Sequence, residues 1–318
     1  MDVLEQRVEF QSEGDTIVGT LFRPDGAEGP LPTVLAAGGW CYTKEIVIPH
    51  VARIAGADGV QFLGFDYRGF GESGGERRQH LDPWMQIRDY QNAITYAEGL
   101  DEVDEDSLGV FGISYSGGHA LILAAIEPRI KAFVSVVPVV DGYQTLRRCH
   151  GEIRFRELEA ELLEDVRARA KGEDGRIAMS TKTPETEMSC WPVPRVYDVF
   201  NQLKQTESPL HEHWSTKESV EMLLSYSVFP FLPRILEKPV LMIVAEADNI
   251  TSIDLEIDAY NQIPSPNKDL KILSKISHMS IYSERRDTNI AAGHTADWFA
   301  RHLLGAGQAE PVAEVVSA

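Results

Sequence analysis

Cysteine is scarce in this chain: its 318 residues include three, Cys41, Cys149 and Cys190, at spacings that suit neither a disulfide framework nor a metal clip. A reducing compartment is the natural home for such a protein. Long apolar runs are missing as well, since the longest, over 133–140, is interrupted by Pro138 and is too short to cross a bilayer. The opening Met1-Asp2-Val3-Leu4-Glu5 has neither a basic nor an apolar leader stretch, so the expected location is cytoplasmic. Positive charge is short: 30 Lys and Arg face 49 Asp and Glu, a formal net charge of −19 that repels phosphate backbones and anionic lipid. Nucleic acid and membrane partners are therefore not expected. The acidic stretches 101–106 and 157–165 read as solvated turn and helix faces. No repeat of fixed period is visible, which argues against a solenoid.

What the chain does have is the composition of a globular protein, 43% hydrophobic and 25% charged. Segments 7–10 and 16–22, separated by Ser12-Glu13-Gly14-Asp15, read as a hairpin. Apolar runs at 33–37, 60–65, 108–111, 132–137, 240–245 and 270–276 then alternate with helical patterning at 44–55, 83–98, 116–125, 253–262 and 288–303. Gly56, Gly99 and Gly305 stand where C-terminal stops belong. This alternation predicts an α/β fold: a mostly parallel eight-stranded sheet with flanking helices. The stretch between the sixth and seventh strands is too long for a plain crossover. It predicts a helical cap insertion over 141–235, within a core built from 1–140 and 236–305, followed by a flexible tail over 306–318. The cap opens with an amphipathic helix over 152–171. It carries Trp191, Tyr197, Phe200, Trp214, Tyr226, Phe229 and Phe231, aromatics that either line a pocket or pack the cap.

Chemistry concentrates at strand ends. After the fifth strand comes Gly112-Ile113-Ser114-Tyr115-Ser116-Gly117-Gly118, the pattern of a nucleophile elbow, in which small residues flank a serine on a tight strand-to-helix turn. Gly112 supplies the first small position, but Ser116 stands at the second, which opens an alternative frame with Ser116 as the nucleophile. Strand register favours Ser114. A serine hydroxyl needs a base, and the base needs an acid to orient it. Glu246-Ala247-Asp248-Asn249 follows the seventh strand and offers Asp248 as that acid, with Glu246 and Asp254 as weaker alternatives. His278, in Ser277-His278-Met279-Ser280 after the eighth strand, is the natural base among nine histidines. His119 falls near the site, whereas His211-Glu212-His213 and Cys149-His150 lack a complete ligand set, so no metal is expected. The loop Gly38-Gly39-Trp40-Cys41-Tyr42 offers the amide of Trp40, beside that of Tyr115, to an oxyanion. Cys41, Trp191, Trp214 and Met279 are the candidate pocket residues.

In this order of serine, acid and histidine, the chain resembles an α/β-hydrolase-fold serine hydrolase over nearly its whole length. Phe65-Asp66-Tyr67-Arg68-Gly69-Phe70-Gly71-Glu72-Ser73 is similar to the superfamily's Asp-x-Arg-Gly-x-Gly-x-Ser segment, a structural loop. The stretch 39–45 and the run His278-Met279-Ser280-Ile281-Tyr282 resemble dienelactone-hydrolase-like and acyl-peptidase-like bacterial members. The resemblance implies a cofactor-independent hydrolase with Ser114, Asp248 and His278 as its triad. Its expected substrate is an ester, lactone or similarly activated acyl group of a small molecule, chosen by the cap. The same triad also serves carbon–carbon bond hydrolysis, and the same fold serves non-catalytic binding. A homodimer through the cap is compatible with the sequence.

Overall fold

The computed structural model describes residues 3–304; the tail expected over 306–318, and Gly305 before it, lie outside the described residues. Two long antiparallel strands, β1 (Val3–Ser12) and β2 (Asp15–Pro24), form the predicted hairpin. Then follow β3 (Leu31–Ala37), α1 (Ile48–Gly56), β4 (Gln61–Phe65), α2 (Pro83–Ala97), β5 (Val103–Ile113), α3 (Tyr115–Ile126) and β6 (Ala132–Val136). An insertion carries α4 (Gly142–Arg169), β7 (Arg176–Ser180), β8 (Ser189–Trp191), α5 (Pro194–Thr206), β9 (Trp214–Thr216) and α6 (Lys217–Leu224). The chain closes with β10 (Val240–Ala245), α7 (Ile253–Gln262), β11 (Lys268–Leu273), α8 (Ser280–Ser283) and α9 (Arg285–Leu303).

The main sheet has eight strands in the order β1-β2-β4-β3-β5-β6-β10-β11. From β4 onward every pairing is parallel, with Ala37 beside Gly112 and Val240 beside Phe133. Strands β3, β4, β6 and β10 are buried nearly throughout, as befits a parallel sheet covered on both faces. Because parallel crossovers are right-handed, the reversal of direction after β4 sends α1 to one face, where it packs against α9, and α2 and α3 to the other. That reversal also opens a crevice at the C-terminal ends of β3 and β5, where open α/β sheets build their sites.

Helix starts follow local chemistry. Asp82 caps α2 by accepting from the amides of Trp84 (2.9 Å) and Met85 (3.2 Å), with Pro83 at the first position. Helix α1 begins later than the pattern suggested, because Val47 has a positive φ of 68° that no helix continues through. The acidic stretch read as a turn is the entry to β5. Asp104, Glu105 and Asp106 are extended but overhang the sheet, and pairing with β3 is irregular between Leu31 and Thr33.

The insertion contains the predicted helix, preceded by an added helical segment from Gly142. Gly142–Arg169 is kinked at Gly151 (φ 67°, ψ 168°), so the amphipathic pattern from Glu152 onward is only its second half. The small sheet β8-β7-β9 was not expected, since strands of three to five residues carry too little alternation to be read. Among the described residues no helix is long and apolar enough to cross a membrane.

Candidate active site

Strand β5 ends at Ile113 and α3 starts at Tyr115, which leaves Ser114 alone on the turn with φ 58° and ψ −119°. A non-glycine residue held in this region is strained, and such strain persists only where the surroundings over-determine it. Those surroundings are close-packed. A Cβ on Gly112 would stand 2.0 Å from the Ser116 carbonyl oxygen, and one on Gly39 would stand 3.0 Å from the Ser114 Cβ. Ser116, the alternative nucleophile, is fully buried in the first turn of α3. Its hydroxyl accepts from the Ile113 amide at 2.8 Å and donates to the Ala37 carbonyl at 2.7 Å, a strap between β5 and β3.

The C-terminal ends of β10 and β11 bring an acid and a base together. Asp248 Oδ2 accepts from His278 Nδ1 at 2.8 Å, while Oδ1 accepts from the amides of Ile250 (2.7 Å) and Thr251 (2.9 Å). Burial pushes the Asp248 carboxyl up, but the His278 charge and hydrogen bond, aided by these amides, outweigh it and hold it below its ordinary range. An imidazole whose Nδ1 proton is committed to a carboxylate has, in its neutral form, a lone pair on Nε2. The other two carboxylates are occupied elsewhere. Glu246 accepts from Ser274 Oγ (2.7 Å) and the Lys275 amide (2.8 Å), and Asp254 pairs with Arg148 at 2.7 Å on the surface.

The loop after β3 lies over the serine turn. The Trp40 ring meets Tyr115 edge-on at 5.2 Å and Trp191 of the insertion at 5.8 Å. Tyr115 occupies the first position of α3, where an amide has no intrahelical acceptor and can meet a developing negative charge. Cys41 is buried and donates from Sγ to the Trp214 carbonyl at 3.3 Å, and Met279 is buried beside His278. Trp214 is the exception among the predicted pocket residues. Its indole is turned outward, with the Arg176 guanidinium 4.0 Å above the ring and Glu212 accepting from Nε1 at 2.6 Å, so only its backbone reaches the crevice. His119, on α3, is fully buried between Tyr226 (2.9 Å) and Gln86 of α2 (3.0 Å). The Asp66 loop is structural, as read: its carboxylate accepts from the Lys44 amide at 2.7 Å and the Glu72 amide at 3.0 Å. Glu45, Asp66 and Glu72 converge closely enough to share a cation, and the Lys44 ammonium, bonded to all three, is that cation.

Comparison with known proteins places this geometry in a lineage. A family model described as X-Pro dipeptidyl-peptidase (S15 family) matches residues 13–280. The chain belongs to that family. A thiohydrolase of Eupenicillium brefeldianum is 29% identical over 87% of this chain and 88% of its own length. An acyltransferase of Aspergillus calidoustus is 26% identical over 83% and 84%. An α/β hydrolase of Penicillium sp. sh18, GrgF, superposes with a TM-score of 0.78 at 21% identity, over 94% of this chain and 99% of its own. The S15-family chain thus has the α/β-hydrolase fold, and it is a hydrolase of acyl bonds.

Four residues around this S15-family site escaped the sequence reading. Tyr282 stacks on the His278 ring at 5.8 Å and meets Tyr42 edge-on at 5.5 Å. Burial drives both phenols upward in pKa, and the neighbouring Ser114 hydroxyl partly offsets this. Their signal was spacing alone: Tyr42 is two residues beyond Trp40, and Tyr282 is four residues beyond His278. Thr251 and Glu256, behind Asp248, gave no signal, because a threonine in a loop and a glutamate in a helix are ordinary in sequence.

Proposed function

We propose that this protein is a serine hydrolase that cleaves an ester, thioester, lactone or similarly activated acyl bond of a small molecule through Ser114, His278 and Asp248. The observation that carries the reading is the 2.8 Å bond from His278 to a buried Asp248, at the sheet edge where Ser114 occupies the strained turn. Ser114 Oγ attacks the carbonyl carbon as its proton passes to His278 Nε2, and Asp248 stabilises the imidazolium. The Trp40 and Tyr115 amides receive the oxyanion. Collapse expels the leaving group, protonated by His278, and leaves an acyl-enzyme. Water activated by His278 then releases the acid and frees the serine. The name of the Eupenicillium relative supports including thioesters.

The segment 141–235 is read as the lid. Ser114 is 6% exposed and His278 2%, with Trp191 against Trp40, so substrate enters when the inserted segment moves. A second reading, transfer of the acyl group to an alcohol or amine instead of water, draws support from this closure and from the acyltransferase relative.

The test needs no substrate. Incubation with a fluorophosphonate followed by mass-spectrometric mapping is expected to place one adduct on Ser114, and Ser114→Ala is expected to take none while remaining folded. An adduct on Ser116, or none in folded parent protein, would overturn the reading. Product analysis with candidate esters and thioesters then separates hydrolysis from transfer, and an acid plus a ketone from a diketone would point to carbon–carbon cleavage instead.

A further inference from the structure

Behind Asp248, away from His278, lies a second carboxyl that the mechanism above does not use. Glu256, in the first turn of α7, is fully buried, and its Oε1 is 2.9 Å from Thr251 Oγ1. The same hydroxyl is 2.9 Å from Asp248 Oδ2, the oxygen that also receives His278 Nδ1. Among the described residues Glu256 Oε2 has no hydrogen-bond partner.

The hydrogen count decides what this arrangement is. A threonine hydroxyl has one hydrogen to give and two lone pairs to receive with. If Thr251 donates to the ionised Asp248, its contact with Glu256 is a hydrogen bond only when Glu256 brings a hydrogen of its own. Were Glu256 ionised, two buried carboxylates would compete for one hydrogen, and Oε2 would hold unsolvated charge with no donor near it.

We propose that Glu256 is a positioning residue: as a neutral carboxylic acid it donates to Thr251 Oγ1, and so fixes the Thr251 hydroxyl on the Asp248 oxygen that holds His278. The chain of donors runs Glu256 to Thr251 to Asp248, and it meets the bond from His278 at Oδ2. Burial foremost, and then the negative charge of Asp248, push the Glu256 carboxyl well above its ordinary range, in keeping with a held proton. The effect on the site is one of aim. Thr251 Oγ1 is also 3.5 Å from His278 Nδ1, so a threonine rotated off Asp248 would crowd the imidazole it now helps to orient.

This inference rests on the proposed roles of Asp248 and His278, and its test separates the two. The readout is the rate of fluorophosphonate adduct formation on Ser114 in the full chain. Glu256→Gln retains a donor toward Thr251 and is expected to label within about twofold of the parent, whereas Glu256→Leu is expected to label about five- to tenfold more slowly. Thr251→Ser is expected to match the parent and Thr251→Val to match Glu256→Leu, with no further loss when the two are combined, because both break one chain. Thr251→Val carries the test if Glu256→Leu does not fold. Equal slowing by Glu256→Gln and Glu256→Leu, or parental rates in both Glu256→Leu and Thr251→Val, would overturn the proposal while leaving the triad intact. Parental labelling in Asp248→Asn would instead overturn the triad reading, and this inference with it.

Discussion

Ser114 and Ser116, two residues apart, show how position divides labour between identical side chains. The first stands at a positive φ between β5 and α3, and the second is inside the helix with its hydroxyl bonded to the backbone of β5 and β3. Where the fold's pattern has glycine, this chain uses a serine as a strap. Ser116→Ala should therefore leave labelling of Ser114 intact while lowering stability by about 1–3 kcal/mol, the cost of unpairing buried backbone groups, read from urea unfolding. Asp248→Asn acts in the opposite way. The amide replaces an acceptor and turns a donor or a weaker acceptor toward His278 Nδ1, so the stabilised tautomer and imidazolium are lost. Labelling is expected to slow on the order of a thousandfold or more with little change in the unfolding midpoint.

At the scale of elements, the long insertion helix depends on its break. Gly151 has φ 67° and ψ 168°, a combination open in practice only to glycine, and it breaks the helix into two segments. Asp141 caps the first half through the Gln144 amide at 2.9 Å, and His150, just before the kink, bonds the Cys190 carbonyl of β8 at 3.1 Å. A side chain at 151 meets no steric obstacle, so the penalty of Gly151→Ala is conformational, about 1–3 kcal/mol. If the insertion is the lid, the same variant should change the labelling rate of Ser114 as well as the unfolding midpoint. A changed midpoint with an unchanged labelling rate would separate the kink from access to the site.

Across the whole molecule, the buried histidines tie stability to pH. Burial lowers His119 and His211 to a pKa of about 3 and His213 to about 4, from 6.5. The unfolded chain binds protons at these groups more readily than the folded one, so their contribution is complete above about pH 6.5 and drains as pH falls toward the folded values. His119 belongs to the core between α3 and α2, whereas His211 and His213, 3.2 Å apart, join the insertion to the Cys41 loop, where His211 Nδ1 meets the Cys41 carbonyl at 3.0 Å. Acid should thus loosen the core and the insertion together. The urea midpoint is expected to fall steadily between about pH 7 and pH 5, and His119→Gln together with His211→Gln should flatten that slope. An unaltered slope would show that the acid sensitivity does not come from His119 and His211.

The sequence by itself determined the sheet and the order of the chemistry along it. Apolar runs of strand length, separated by helical periods, dictate parallel crossovers, and a residue just beyond a parallel strand must emerge at the sheet's C-terminal edge; hence the position of Ser114, Asp248 and His278 at that edge, as candidates, was legible without coordinates. Hydrophobic period is a local property, so the eight strands of the main sheet and six of the helices could be read from it. What is not local was left to tertiary structure. Which partner each candidate side chain finds, Ser116 the Ala37 carbonyl, Asp248 His278, Glu246 Ser274 and Asp254 Arg148, depends on residues far away in sequence. The outward turn of Trp214 and the three-stranded sheet of the insertion depend likewise on contacts between segments too short to carry a period. Glu256 is the clearest case, because its burial beside Thr251 depends on how α7 packs against β10, and nothing in its neighbours along the chain distinguishes it from a solvated glutamate.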